Sequence, residues 1–350
     1  LETINLIENF NKLFMENKKR ILTGIRPTGA LHLGHYVGAL HNWISLQEEY
    51  DCNFLIADYQ ALGDHFNDIE LIKKSVIDVT LDWLSVGLDP EKSNFVIQSY
   101  VPEHAELSML LSFVTPLGML ERNPTLKGEL DSLPIERRSA GFFNYPISQV
   151  ADILLPRAHL VPVGEDQAPH LEMSREIARK FNNMYGYVFP EPETLIGKVG
   201  RLSGTDGKGK MSKSQGNVIL LSDTKEAVEK KVRSMYTDPN RIRADIPGKI
   251  EGNPVFQYLD AFTENDKNVD DFKERYKTGN IGDVEIKNYL SNILNDFLDP
   301  IREKRAYFEK NINLVEEALD TGVTNARNLA NETMQLVRDK MKISSYKKVW

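Results

Sequence analysis

Apolar residues arrive along this chain in two rhythms. In the first half, short unbroken apolar runs alternate with longer stretches in which apolar residues recur every three or four positions. The runs are Arg20-Ile21-Leu22-Thr23-Gly24-Ile25, Cys52 to Tyr59, Asn94 to Tyr100 and His159 to Val163. Between them, His35 to Glu49 places Val37, Leu40 and Ile44 on one face, and Ile69 to Val86 does the same with Ile72, Val76, Val79 and Trp83. Continuous runs suit strands buried on both sides, and the longer period suits amphipathic helices. Their alternation predicts an α/β fold with a parallel sheet covered on both faces. Such sheets hold ligands at the carboxyl ends of their strands.

After about Leu221 the strand-like runs stop. Helical periodicity takes over, broken by loops at Asp238-Pro239-Asn240, Pro247-Gly248 and Gly279. From Asp283 to Ile312 the positions Ile286, Leu290, Ile293, Leu294, Phe297 and Ile301 suit a bundle, and Pro300 predicts a break or kink. A boundary near residue 220 therefore separates an α/β domain, 20–220 with a helical insertion at about 104–190, from an all-helical domain, 221–350. Residues 1–19 read as an extra amphipathic helix, with Ile4, Ile7, Phe10 and Phe14 facing the body.

Composition narrows the picture. Of 350 residues, 41% are hydrophobic and 27% charged, enough apolar surface for a core without staples. The single cysteine, Cys52, forms no intramolecular disulfide and no cysteine zinc cluster, which fits a reducing cytoplasm. No apolar run is long enough to span a membrane, and the polar start of the chain lacks the apolar stretch of a signal peptide. Net charge is −8, so the surface is not basic as a whole. One stretch is basic locally, with Lys225, Lys230, Lys231, Arg233, Arg241, Arg243 and Lys249, and affinity for nucleic acid depends on such local cations.

Two motifs carry chemistry. Pro27-Thr28-Gly29-Ala30-Leu31-His32-Leu33-Gly34-His35 follows the first strand and opens a helix. Gly29 permits the turn, and Gly34, lacking a side chain, allows a planar base against its backbone. The helix start offers N–H groups to phosphate, and His32 and His35, three apart, add donors on one face. Lys210-Met211-Ser212-Lys213-Ser214 follows the glycine-rich Gly204-Thr205-Asp206-Gly207-Lys208-Gly209. A hinged, lysine-bearing loop suits closure over a triphosphate. It is not a P-loop, since Met211 stands where a magnesium-binding Ser or Thr is needed. Tyr145, Gln149 and Asp152, spaced four and three apart, share a helical face on which a carboxylate can accept an N–H.

HLGH followed some 175 residues later by KMSKS, on an α/β pattern, resembles the class I aminoacyl-tRNA synthetases. Gly24-Ile25-Arg26-Pro27-Thr28-Gly29, Leu160-Val161-Pro162-Val163-Gly164-Glu165-Asp166-Gln167, and Tyr145-Pro146 with Ala151-Asp152-Ile153-Leu154 are similar to the tryptophanyl members. The resemblance runs from about residue 20 to 340 and thins in the last third. It implies a Rossmann-like catalytic domain, a helical domain that contacts the tRNA anticodon, and a homodimer whose seam draws on Met109-Leu110-Leu111, Phe113-Val114 and Leu117. It implies activation of tryptophan by ATP and transfer to the cognate tRNA, with Mg²⁺ arriving on the nucleotide and no metal site in the protein. It assigns Arg26, Pro27, Thr28, Gly34, His35, Gly164, Glu165, Asp166, Leu202 and the segment Lys210, Met211, Ser212, Lys213, Ser214 to ATP. His32, His35, Lys127, Lys210 and Lys213 take the catalytic roles, and Tyr145, Gln149, Asp152 and Gln167 bind the amino acid.

Three positions depart from the common bacterial pattern. Gln149 replaces a methionine, Gln60 a histidine, and His32 a residue that is threonine in some members. They resemble a divergent, second-type tryptophanyl branch. Tyr145-x3-Gln149-x2-Asp152 also reads as a tyrosyl substrate motif, so a tyrosine ligase is the alternative. A nucleotidylyltransferase would not need KMSKS, and a silent tryptophan-binding paralogue would not need the full phosphate set.

Overall fold

The computed structural model describes residues 18–135, 138–162, 168–195 and 202–344. The expected N-terminal helix, together with Gly164, Glu165, Asp166 and Gln167, lies outside these residues. Five parallel strands form one sheet in the order β3-β2-β1-β4-β5: β1 Arg20–Ile25, β2 Asp51–Ile56, β3 Ser93–Ile97, β4 Leu160–Pro162 and β5 Glu193–Leu195. β1 and β2 pair over six residues, Arg20↔Asp51 to Ile25↔Ile56. The order reverses between β1 and β4, so a crevice opens there at the carboxyl ends of the strands. β5, with the sequence Glu-Thr-Leu, is a short edge strand without the apolar run that announces the others.

Helices α1 Leu33–His35, α2 His41–Glu49, α3 Asp58–His65 and α4 Ile69–Val86 cross between the first three strands. The predicted single helix from His35 to Glu49 is instead interrupted by a π-helical turn, Tyr36–Leu40. Gly38 and Ala39 of this wide turn line a cavity, a placement common for π-turns. α4 has the predicted limits because the Asp68 carboxylate caps the Leu71 N–H and Gly87, at φ 105°, ends the helix. Trp43, Phe54, Trp83 and Phe95 cluster between α2, α4 and the sheet, with ring centroids 5.0–6.3 Å apart; Trp43 and Phe54 stack and the other pairs meet edge-on or tilted.

α5 Glu103–Val114, α6 Leu117–Glu121, α7 Pro124–Ser132 and α8 Ala140–Leu154 separate β3 from β4, and α9 Ala168–Tyr185 follows β4. Helices α10 Lys225–Arg233, α11 Pro254–Phe262, α12 Lys267–Thr278, α13 Asp283–Lys310 and α14 Ile312–Lys340 make up the last third. α13 continues through Pro300, so the predicted break does not occur. Arg302 donates to the Asn295 carbonyl at 3.2 Å, one turn before the proline. The C-terminal helices share one apolar core with the sheet: Leu290, Leu294 and Leu298 cluster with Phe54, Val79 and Phe95. α14 lies so close to β3 that a Cβ on Gly322 would sit 2.3 Å from the Phe95 carbonyl oxygen. Among the described residues, no helix is long and apolar enough to cross a membrane.

Candidate functional site

The two motifs meet at the crevice. The strand-like segment after the lysine loop runs antiparallel to the turn after β1: Leu33 N–H donates to the Ile219 carbonyl and Leu221 N–H to the Leu31 carbonyl, both at 2.9 Å. The face of Gly34 left open for a base is covered by the lysine loop itself, since an added Cβ would lie 2.7 Å from Met211 Sδ. Gly29, at φ 106°, takes a conformation that side-chain-bearing residues resist. Its carbonyl and that of Thr28 accept Lys213 Nζ at 2.8 and 3.0 Å. Asn217, buried, ties the loop together. It accepts the Ser212 N–H at 2.7 Å and donates to Asp206 Oδ1 at 3.1 Å. Ser212 and Ser214 hydroxyls bond at 2.9 Å, Leu202 and Met211 are buried, and Lys210 is exposed at the rim.

His32 and His35 lie with ring centroids 3.8 Å apart, their planes tilted by 41°. Burial pushes the His32 pKa down to about 4, with Lys213 and Lys210 adding to the effect. His35 is also held well below its ordinary value, first by burial, then by His32 and the same two lysines. Both rings are thus neutral at pH 7. His35 Nδ1 accepts the His32 backbone N–H at 3.2 Å, which places the ring proton on Nε2, ready to donate. His32 Nδ1 is buried without a protein partner. Burial also lowers the Lys213 pKa, while Asp82 and Asp78 raise it. The result is a cation-lined recess with neutral donors, a setting for an anionic ligand.

Two adjoining cavities of about 310 and 270 Å³, both bordered by Arg26, Gln60 and Gln149, open at the carboxyl ends of the strands, and the first reaches Gly38 and Ala39 of the π-turn that follows His35. The first reaches Gly24, Trp43 and Asp152; the second is lined by Thr125, Phe142, Tyr145 and His170. The face shared by Tyr145, Gln149 and Asp152 does line the cavities. Asp152, buried, receives Gln98 Nε2 on Oδ1 at 2.7 Å and Gln60 Nε2 on Oδ2 at 2.5 Å. His104 Nδ1 lies 2.9 Å from Oδ1, although the ring is not aligned for a hydrogen bond. A carboxylate has about four lone-pair sites, so capacity remains for a ligand N–H. Tyr145 Oη stands 3.5 Å from His170 Nε2.

Lys127 is not brought to this site. It is exposed on α7, whose Thr125 and Glu129 face the second cavity. Pro27 is buried and Thr28 half-buried beside Lys213. The sequence reading missed Gln98, His104, Asn217 and His170. Gln98 carried a signal, being a polar residue at the carboxyl end of a parallel strand. Cys52 is buried, and burial, with the Asp51 charge, pushes its thiol up to about 12, which excludes it as a nucleophile. Among the described residues, no group of three or more His, Cys, Asp or Glu could hold a metal ion.

A family model described as class I tRNA synthetases (W and Y) matches residues 15–299. The chain belongs to this family. It is 48% identical over 336 residues to the tryptophan–tRNA ligase of Chlamydia caviae, covering 94% of this chain and 97% of that one. It is 46% identical over 328 residues to the tryptophan–tRNA ligase of Treponema pallidum, with 93% and 97% covered. Among solved structures, tryptophanyl-tRNA synthetase from Campylobacter jejuni complexed with ADP and tryptophan superimposes with a TM-score of 0.82 at 36% identity, over 92% of this chain and 99% of that one. As an aminoacyl-tRNA ligase, the chain has the Rossmann-like sheet and C-terminal helices of its class.

Proposed function

We infer that this synthetase is a tryptophan–tRNA ligase. The observation that carries the reading is the adjacency of two unlike sites. The recess of His32, His35 and Lys213 suits phosphates, and within the same crevice Asp152 offers a buried carboxylate to a ring N–H. In the first step the carboxylate oxygen of tryptophan attacks the α-phosphorus of ATP, the bond to the β-phosphate oxygen breaks, and pyrophosphate leaves. In the second, a hydroxyl of the terminal tRNA adenosine takes the tryptophanyl group and AMP departs. The protein contributes position and charge rather than a covalent nucleophile. Lys213 exchanges the Thr28 and Gly29 carbonyls for phosphate oxygens, Lys210 closes from the rim, and Mg²⁺ enters with the nucleotide, held by phosphates and water.

The tRNA partner rests on the basic stretch beside α10. Not all of it faces solvent. Arg241 is buried, bonds Asp283 at 2.8 Å and stacks on Tyr276, while Lys231 pairs with Asp223 at 2.5 Å. Lys225, Lys230, Arg233, Arg243 and Lys249 are exposed and are the residues we assign to phosphate contact. The apolar seam also divides. Leu111 and Val114 belong to the core, whereas Met109, Phe113 and Leu117 are 59%, 71% and 61% exposed and fit a second copy of the chain.

Pyrophosphate exchange, run with tryptophan and with tyrosine, tests the assignment. Tryptophan should support exchange and tyrosine should do so at least about 100-fold less well in kcat/KM, since the smaller ring fills the pocket less well and puts its hydroxyl at a different reach from the indole N–H. Preference for tyrosine overturns the reading. Transfer to tRNA, followed in the same preparation, should fall steeply with added salt.

A further inference from the structure

Behind the nucleotide loop, helix α4 presents two buried polar side chains seven residues apart, Ser75 and Asp82. Seven residues is about two turns, so both lie on one face. Ser75 Oγ accepts the Gly29 N–H at 2.7 Å, and Asp82 Oδ2 accepts the Leu31 N–H at 2.8 Å. Across the loop, the Thr28 and Gly29 carbonyls accept Lys213. The loop is therefore gripped from two sides, by α4 through its N–H groups and by the lysine loop through its carbonyls.

Asp82 has a second partner from far along the chain. Arg305 of α13 donates from Nη1 to Asp82 Oδ1 at 2.5 Å and from Nη2 to Asp78 Oδ1 at 2.9 Å, and its Nε reaches Glu309. Burial pushes the Asp82 carboxyl up to about 6 against the pull of Arg305 and the Leu31 N–H. Its neighbours on α4, Leu81, Trp83 and Leu84, are core residues. An ion pair in such surroundings is often no more stabilising than apolar residues of the same volume, so stability is a poor reason for its presence. Its geometry offers a better one.

We propose that Asp82, clamped by Arg305, is a positioning residue for ATP: it fixes the loop from Thr28 to Leu31 so that Lys213 faces the phosphates, and it ties the C-terminal helices to the activation step. This rests on reading the recess as the ATP site. Neither side chain touches the reacting atoms; both act through the loop.

Pyrophosphate exchange with ATP and tryptophan varied separately tests the proposal, alongside thermal melting. Asp82→Asn keeps an acceptor for Leu31 but loses the charge that holds Arg305. It should lower kcat/KM for ATP by about 10- to 100-fold, with the tryptophan KM within about twofold of the parent. Arg305→Gln should fall in the same direction, Arg305→Lys should recover part of the loss, and the double variant should be no worse than the worse single one, as coupled residues require. Ser75→Ala, a milder change to the same grip, should raise the ATP KM by about three- to tenfold and serves if Asp82→Asn does not fold. Lowered melting temperatures with unchanged kinetic constants overturn the proposal. So do equal losses toward ATP and tryptophan, or effects of the two residues that simply multiply. Absence of tryptophan-dependent exchange in the parent protein would instead sink the site reading.

Discussion

At the end of the crevice we assign to the nucleotide, the groups offered to a ligand are backbone atoms, two neutral histidines and lysines, all carried by two short segments stitched together by main-chain hydrogen bonds. At the amino-acid end they are the amides of Gln60 and Gln149 and the Asp152 carboxylate, from α3 and α8, with Gln98 after β3 and His104 from α5 set against Asp152 outside the cavity lining. The first end is built for charge that changes during reaction. The second is built for a fixed pattern of hydrogen bonds. In the proposed reading the difference assigns each end its own kinetic constant: charge placed for the transition state sets the rate, and a matched acceptor sets which substrate is taken.

The largest effect expected from breaking this contrast is at the lysines. Lys213→Ala should slow formation of the adenylate by about 100- to 1,000-fold in single-turnover kinetics, and Lys210→Ala similarly, with tryptophan affinity nearly unchanged. If both variants keep the parent rate, the nucleotide end has been misassigned. A loss confined to tryptophan affinity would erase the distinction between the two ends.

The neutral histidines make a second prediction. A folded-state pKa lowered from 6.5 to about 4 means that the unfolded chain binds a proton over that window and the folded chain does not. The contribution of His32 is therefore present above pH 6.5 and lost as pH falls toward 4, with an upper bound of roughly 3 kcal/mol. Denaturant titrations between pH 7 and pH 4 should show this fall, and His32→Asn should flatten it. An identical slope in the variant would mean that other groups carry the pH dependence.

The smallest effect sharpens the amino-acid end. A tryptophan analogue with sulfur in place of the indole N–H keeps the shape but cannot donate. If Asp152 accepts that N–H, the analogue should be activated about 10- to 150-fold more slowly, the range expected for a hydrogen bond to a charged group. In Asp152→Asn the penalty should largely disappear, because the amide carries no charge and can turn a donor inward. Equal rates for the two substrates in the parent protein would leave Asp152 a structural anchor for Gln60 and Gln98.

The residues assigned to the nucleotide end were legible in the sequence as two compact motifs because each is local. His32, Gly34 and His35 fall within four residues, Lys210 to Ser214 within five, and the glycines before them announce a loop. Gly34 shows the limit of that reading. Its missing side chain suggested room for a base, whereas the structure fills the space with Met211, 177 positions away. The face of Tyr145, Gln149 and Asp152 was legible from helical spacing, but the donors that surround Asp152 were not, since Gln98 lies 54 residues from it.

The sequence by itself determined the order of strands down to β4, the limits of α4, the change to helices after residue 221 and the two motifs, all of which follow from spacing of two to seven residues and from local turn chemistry. Only the tertiary structure decided that Leu111 and Val114 turn inward while Phe113 stays exposed, that Arg241 is buried against Asp283, and that Pro300 leaves α13 unbroken. It alone brought Arg305 to Asp82 across 223 residues of chain. Such choices depend on which faces meet in the folded core. A pairing between distant positions leaves no periodicity for a sequence to display, and whether a charged side chain is solvated or satisfied inside is settled by its neighbours in space.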